Sequence, residues 1–262
     1  MTFDQQIDTI VADREHGSST LVKHILQALH SLEPGPPDES RLREAFRRLR
    51  HIDPSMVVVH HLLNALEPAI GPDFFDALDA YEKRWQDVPE QISRNLAGIC
   101  DWHGKRLLVH SRSGTLFEAI CWLDRTFGDI QVLQTRSVPG EEGVAQYDAL
   151  REAGVAVHLV EDDRIAGLAP SLDAALLGMD QFCEGAFVNK TGSRQIAGAM
   201  IQAGKPVYVL GDSRKRVDRL HYSTELFEAA PMTRGVYLVS ESGAQPMNDE
   251  DETGATPDDR CR

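Results

Sequence analysis

Along residues 1–100, apolar side chains recur at every third or fourth position. In IDTIVADREHGSSTLVKHILQALHSL, residues Ile7, Ile10, Val11, Leu21, Ile25 and Leu29 keep helical spacing. EPGPPDES (33–40) interrupts the pattern, because Pro and Gly cannot continue a helix and Asp38 or Ser40 can cap the next one. RLREAFRRLRHI, PSMVVVHHLLNAL and DFFDALDAYEKRWQDVPEQISRNLAGIC restore the helical period. Residues 1–103 are therefore expected to form a helical N-terminal domain.

From residue 104 the pattern changes to short apolar runs separated by amphipathic segments of helix length. RLLVH (106–110) predicts a strand followed by a helix over 113–127. IQVLQT (130–135) leads to a helix over 141–153, and VAVHLV (155–160) to a short helix over 164–170. AALLGMD (174–180) leads through a loop to a helix over 191–203, and PVYVLG (206–211) and GVYLVS (235–240) complete the set. Strands that alternate with helices imply parallel βαβ units with right-handed crossovers. The expected fold class is α/β, with a Rossmann-like parallel-sheet domain over 104–242. The segment 243–262 is acidic, rich in Gly, Pro and Asp, and poor in apolar residues, so it is expected to be a disordered tail.

Charge narrows the function. The 262 residues carry a formal net charge of −14, which repels a nucleic-acid backbone and disfavours a nucleic-acid partner. A local basic pocket for a small anion remains compatible with it. No apolar run approaches the roughly 20 residues needed to cross a bilayer, and MTFDQQIDTIVADREHG lacks the apolar centre of a signal peptide. The four cysteines, Cys100, Cys121, Cys183 and Cys261, show neither CxxC pairing nor metal-ligand spacing. These features predict a cytoplasmic protein with reduced thiols, no metal site and no membrane contact.

In open parallel sheets, ligands sit beyond the carboxyl ends of the strands. His110-Ser111-Arg112-Ser113-Gly114-Thr115 follows the first strand. Small residues entering a helix expose free N–H groups that suit an anion, Arg112 adds charge, and Gly114 permits close backbone approach. The same residues also suit ordinary helix capping. Arg136 follows the second strand, either facing a ligand or solvated in its loop. Glu161-Asp162-Asp163-Arg164 follows the third, placed to bind sugar hydroxyls or to cap a helix. Asp180 ends the fourth run, and Asn189-Lys190 opens the next helix. A carboxylate and an ammonium at one sheet edge suit acid–base and phosphate chemistry, and equally a salt bridge.

The segments LLVHSRSG, VLQTRSVPGEEG, VAVHLVEDDRIAGLAPSLDAALLGMD, VNKTGSRQIA and GKPVYVLGDS together carry a family resemblance. The C-terminal half resembles the superfamily that joins the α, β and δ subunits of eukaryotic translation initiation factor 2B to two sugar-phosphate isomerases. Those are methylthioribose-1-phosphate isomerase and archaeal ribose-1,5-bisphosphate isomerase. DREHGSSTL (13–21) resembles the family's N-terminal phosphate-binding segment, which brings in Arg14, Gly17 and Ser18. The resemblance implies a helical domain joined to a Rossmann-like domain, usually assembled as a homodimer or higher homo-oligomer, and no cofactor. It implies a phosphorylated pentose as ligand, with Asp180 as the catalytic aspartate of the isomerases. Arg112, Ser113, Gly114, Arg136, Asn189 and Lys190 would hold substrate hydroxyls and phosphate.

The chain also departs from the isomerases. Where they carry a catalytic cysteine after the first strand, this chain has Ser111. A thiol ionises near neutral pH, whereas a serine hydroxyl needs an adjacent base. Cys121 and Cys183 are the thiols that could substitute. The arginine-proline after the second strand is Arg136-Ser137, and the loop that follows is longer. Ser111 is shared with the regulatory initiation-factor subunits, and Asp180 with the isomerases. The resemblance therefore implies either an aldose–ketose isomerase of a ribose phosphate or a non-catalytic regulatory or metabolite-sensing subunit acting through a protein partner. A plain oligomerising scaffold is the third reading.

Overall fold

The computed structural model describes residues 1–13, 17–32 and 38–246. They fall into two compact units, Met1–Asp87 and Val88–Arg262.

The first unit is helical. It comprises α1 (Phe3–Ala12), α2 (Ser18–His30), α3 (Glu39–Leu49), α4 (Val57–Leu66) and α5 (Phe74–Trp85). Thr2 and Gln5 form a reciprocal capping box at α1, and Asp38 caps α3 by accepting from Arg41 N. Ile7, Leu21, Ile25, Leu29, Phe46, Leu62 and Phe74 meet in one core. The arginine-rich run of α3 is not a free basic surface. Arg41 pairs with Asp4 at 2.8 Å, Arg47 with Glu44 at 2.6 Å, Arg43 with Glu39 at 3.6 Å, and Arg48 with Asp8. Such exposed pairs each contribute about 0–1 kcal/mol. Their consequence is that this helix offers no unpaired cations to a polyanion.

The segment 73–100, read as helical throughout, contains two helices. It breaks at Gln86-Asp87, and α6 (Val88–Ala97) starts with Pro89 in its first turn, where a missing N–H costs no hydrogen bond. α6 belongs to the second unit, and Asn95 Nδ2 donates to Ser240 O at 2.8 Å.

The second unit is an α/β layer structure. Its elements run β1 (Arg106–His110), α7 (Gly114–Phe127), β2 (Gln131–Thr135), α8 (Glu142–Glu152), β3 (Val157–Val160), α9 (Ile165–Leu168) and β4 (Ala174–Gly178). They continue with β5 (Gln181–Cys183), β6 (Ala186–Lys190), α10 (Ser193–Gln202), β7 (Val207–Leu210), β8 (Phe227–Pro231), β9 (Val236–Ser240) and β10 (Gly243–Pro246). Seven strands form one sheet in the order β10-β9-β7-β4-β1-β2-β3, parallel except for β10. Leu108 stands beside Leu133 on one side and Ala175 on the other. Central strands covered on both faces explain the continuous apolar runs.

Two expectations change. The segment after Asp180, expected as a loop, is the hairpin β5–β6, which pairs with β8 in a separate three-stranded antiparallel sheet. Its strands are short, and the partner β8 lies far along the chain beyond β7, so local periodicity carried no sign of the pairing. Residues 243–246, expected to begin a disordered tail, form β10 by antiparallel pairing with β9. Backbone pairing to a strand edge needs no apolar side chains, and β10 has none buried. The remainder of the expected tail, 247–262, lies outside the described residues.

Candidate functional site at the carboxyl edge of the sheet

The turns after β1 and β2 are built against each other. Ser111 and Ser137 both adopt left-handed backbone, with φ of 65° and 68°. A non-glycine residue there costs about 1–2 kcal/mol and persists only when its surroundings hold it. Here Ser111 N donates to Ser137 Oγ at 2.7 Å, and Gln134 Nε2 donates to Ser111 O at 3.1 Å. Asp162 accepts from Ser137 N at 3.0 Å and from Val138 N at 2.7 Å. Asp162 therefore clamps the β2 turn and does not stand free as a sugar ligand.

His110 is buried at the end of β1. Its Nε2 lies 2.9 Å from Thr191 O, a pure acceptor, so Nε2 carries the proton. Nδ1 then accepts from Thr135 Oγ1 at 2.7 Å. Burial pushes the imidazole below its ordinary pKa, so it stays neutral. With both nitrogens engaged, His110 orders the turn and is not available as a base for the Ser111 hydroxyl.

Ser113 caps α7 by accepting from Leu116 N at 3.3 Å. It approaches Gly178 so closely that a Cβ there would lie 3.1 Å from Ser113 Cβ, and Asn189 Oδ1 would lie 3.7 Å from the same point. Ser113, Gly178 and Asn189 thus share one spot at the ends of β1, β4 and β6. Asn189 Nδ2 donates to Ser193 Oγ at 2.9 Å, which fixes its amide. Lys190 is buried to 1% exposure, and its Nζ donates to Glu142 Oε1 at 2.9 Å and to Pro139 O. Both acceptors belong to the loop after β2 and the start of α8.

Asp180 follows β4 and is anchored by its N–H to Val188 O at 2.8 Å. Among the described residues, no hydrogen-bond donor meets its carboxylate. Desolvation pushes the Asp180 carboxyl above its ordinary pKa, while the nearby Lys215 ammonium opposes the rise. Lys215 is itself buried and donates to Met179 O at 2.5 Å, one residue before Asp180. Its charge also acts on Asp212, which Arg214 binds at 2.8 Å. Lys215→Met should move the Asp180 pKa further upward, and Lys215→Arg should restore it, in a carbon-13 titration of the carboxyl group. No movement in Lys215→Met would separate the two groups electrostatically.

The remaining expected residues are placed as follows. Arg112 is exposed and unpaired among the described residues, and Gly114 faces open space. Arg136 turns toward Glu141 at 3.1 Å and Glu161 at 3.9 Å, so much of its charge is already answered. Gly17 and Ser18 begin α2 in the first unit, and Arg14 lies outside the described residues. Cys121 is buried in α7. Cys183 is buried in β5, three residues past Asp180. The sequence reading missed Glu142, Lys215 and Ser137 as parts of this edge. Each sits in a charged or polar loop whose local pattern resembles ordinary surface, and only the strand order brings it to the edge.

A parallel sheet flanked by helices, with polar groups after β1, β2, β4 and β7 and from β6 at its carboxyl edge, is an α/β arrangement of the kind in which ligands, where bound, sit at that edge. The chain belongs to the initiation factor 2 subunit family, whose model matches residues 5–246. It is 29% identical over 209 residues to the ribose 1,5-bisphosphate isomerase of Archaeoglobus fulgidus, covering 76% of this chain and 67% of that protein. The fold matches the crystal structure of the translation initiation factor eIF-2B of Pyrococcus horikoshii with a TM-score of 0.79 at 20% identity, covering 93% of this chain and 96% of that one. It also matches the 5-methylthioribose 1-phosphate isomerase of the same organism with a TM-score of 0.76 at 14% identity, covering 93% and 84%. The family thus contains both sugar-phosphate isomerases and initiation-factor-like proteins. Among the described residues, no helix is long and apolar enough to cross a membrane.

Proposed function

We propose that the carboxyl edge binds a phosphorylated pentose and that the protein is an aldose–ketose isomerase of a ribose phosphate. The observation that carries this reading is the Asp180 carboxylate at the end of β4, which no donor among the described residues meets and whose pKa burial raises above the ordinary carboxylate value. Isomerisation moves a proton from one carbon to its neighbour and a second proton between the two oxygens, with no net oxidant or reductant. Asp180 carries the proton between oxygens. Asn189 and the Ser113 turn orient the sugar, and exposed Arg112 with the free N–H groups at the start of α7 takes the phosphate. The protein works in the cytoplasm as a homo-oligomer.

A second reading is favoured by Ser111. His110 offers the Ser111 hydroxyl no base, because both imidazole nitrogens are engaged. On that reading the protein is a regulatory or metabolite-sensing subunit that binds the same ligand and acts through a protein partner. Proton NMR in D₂O separates the two readings. The panel is ribose-1,5-bisphosphate, methylthioribose-1-phosphate, ribose-5-phosphate and nucleoside monophosphates. New ketose signals establish the isomerase. Line broadening without conversion establishes the sensor, and neither effect removes the phosphorylated-sugar reading.

A further inference from the structure

The family resemblance expects Lys190 to meet phosphate, but its charge is already answered. The ammonium is buried, with only 2% of its side chain exposed, and Glu142 holds it at 2.9 Å. The loop is shaped around that carboxylate. Gly140, at φ 101°, lies so close that a Cβ there would come within 2.7 Å of Glu142 Oε1. The same loop is fixed at its start by Asp162, through Ser137 N and Val138 N. A phosphate brought to Lys190 would stand beside the Glu142 carboxylate, and like charges repel.

The other carboxylate oxygen points to what does fit. Glu142 Oε2 is buried and, among the described residues, has no hydrogen-bond partner. A carboxylate oxygen only accepts, so the group it lacks is a donor such as a hydroxyl. We propose that Glu142 is a specificity-determining residue of this site. It cancels the charge of Lys190, so this end of the carboxyl edge receives a hydroxyl-bearing part of the ligand and refuses a phosphate. The phosphate then lies at the Arg112 turn. This inference rests on the reading that the edge binds a phosphorylated sugar.

The test is calorimetric titration of inorganic phosphate into wild type, Glu142→Gln and the double variant Glu142→Gln/Lys190→Met. Glu142→Gln should bind phosphate about tenfold more tightly than wild type, and the double variant should lose that gain. Equal affinity in wild type and Glu142→Gln overturns the proposal, as does a gain that survives the loss of Lys190. If wild type binds no phosphate and Glu142→Gln does, the Arg112 phosphate site fails while the role of Glu142 stands. If both bind equally, the reverse holds. Should the unpaired lysine prevent Glu142→Gln from folding, Glu142→Asp withdraws the carboxylate by one methylene. It should then show a severalfold gain, and no gain overturns the proposal.

Discussion

On the isomerase reading, Asp180→Asn is expected to lose turnover by about 10²–10⁴-fold while keeping ligand affinity close to that of wild type. The amide keeps the size and polarity of the carboxylate but cannot carry a proton between oxygens. The same variant has a stability signature. Burial raises the Asp180 pKa in the folded protein above its unfolded value. The folded state therefore binds this proton more tightly than the unfolded state does. That contribution is fully present below the unfolded pKa of about 3.9 and is lost as pH rises through the folded value. Above that folded value, wild type keeps a desolvated charge that Asp180→Asn lacks. The variant should thus melt higher than wild type on the alkaline side of it and lose the advantage in acid. Calorimetric scans on the two sides check this. A variant less stable on both would make the carboxylate a structural partner and remove it from the chemistry.

Gly143→Ala destabilises the second unit by about 2–4 kcal/mol, a fall in Tm of roughly 5–15 °C. Helix propensity alone points the other way, since alanine in a helix gains about 1 kcal/mol over glycine. Contact decides the sign. A Cβ on Gly143 would lie 1.9 Å from Thr135 O, 2.8 Å from Ser137 Oγ and 3.0 Å from the Arg136 carbonyl carbon. The first and last of these are backbone atoms and cannot rotate aside, so α8 must lift from β2. Thr135 and Ser137 would move with the strand end, and the His110 and Ser111 contacts would loosen too. Thermal unfolding followed by circular dichroism measures the loss. A variant as stable as wild type would mean that α8 is not seated on β2.

Much of the second unit was legible because its central strands are buried on both faces. Runs such as LLV and ALL have to be apolar wherever they sit, so they announce themselves locally. Asp180, Ser111 and Ser113 were picked out for a related reason, since they stand at or just past the ends of such runs, whereas Asn189, expected to open a helix, lies inside β6. Glu142 and Lys215 were not. Each lies in a polar stretch that would look the same on any surface. What gives Glu142 its role is the meeting of β6 with the loop after β2, and what gives Lys215 its role is the adjacency of β4 and β7. The hairpin β5–β6 was hidden likewise, because its third strand comes from residues 227–231.

The sequence by itself determined that helices precede a parallel α/β sheet, that the surface is acidic, and which residues stand at the strand ends. Those features follow from burial and periodicity, which act on each segment separately. Only the tertiary structure decided the state of the groups at that edge. It gave Lys190 a carboxylate in place of a free pocket, turned Arg136 to its neighbours, engaged both nitrogens of His110, and left Asp180 without a donor among the described residues. Charge compensation and desolvation depend on which strand ends become neighbours. That is a property of the strand order β7-β4-β1-β2 and of no single segment.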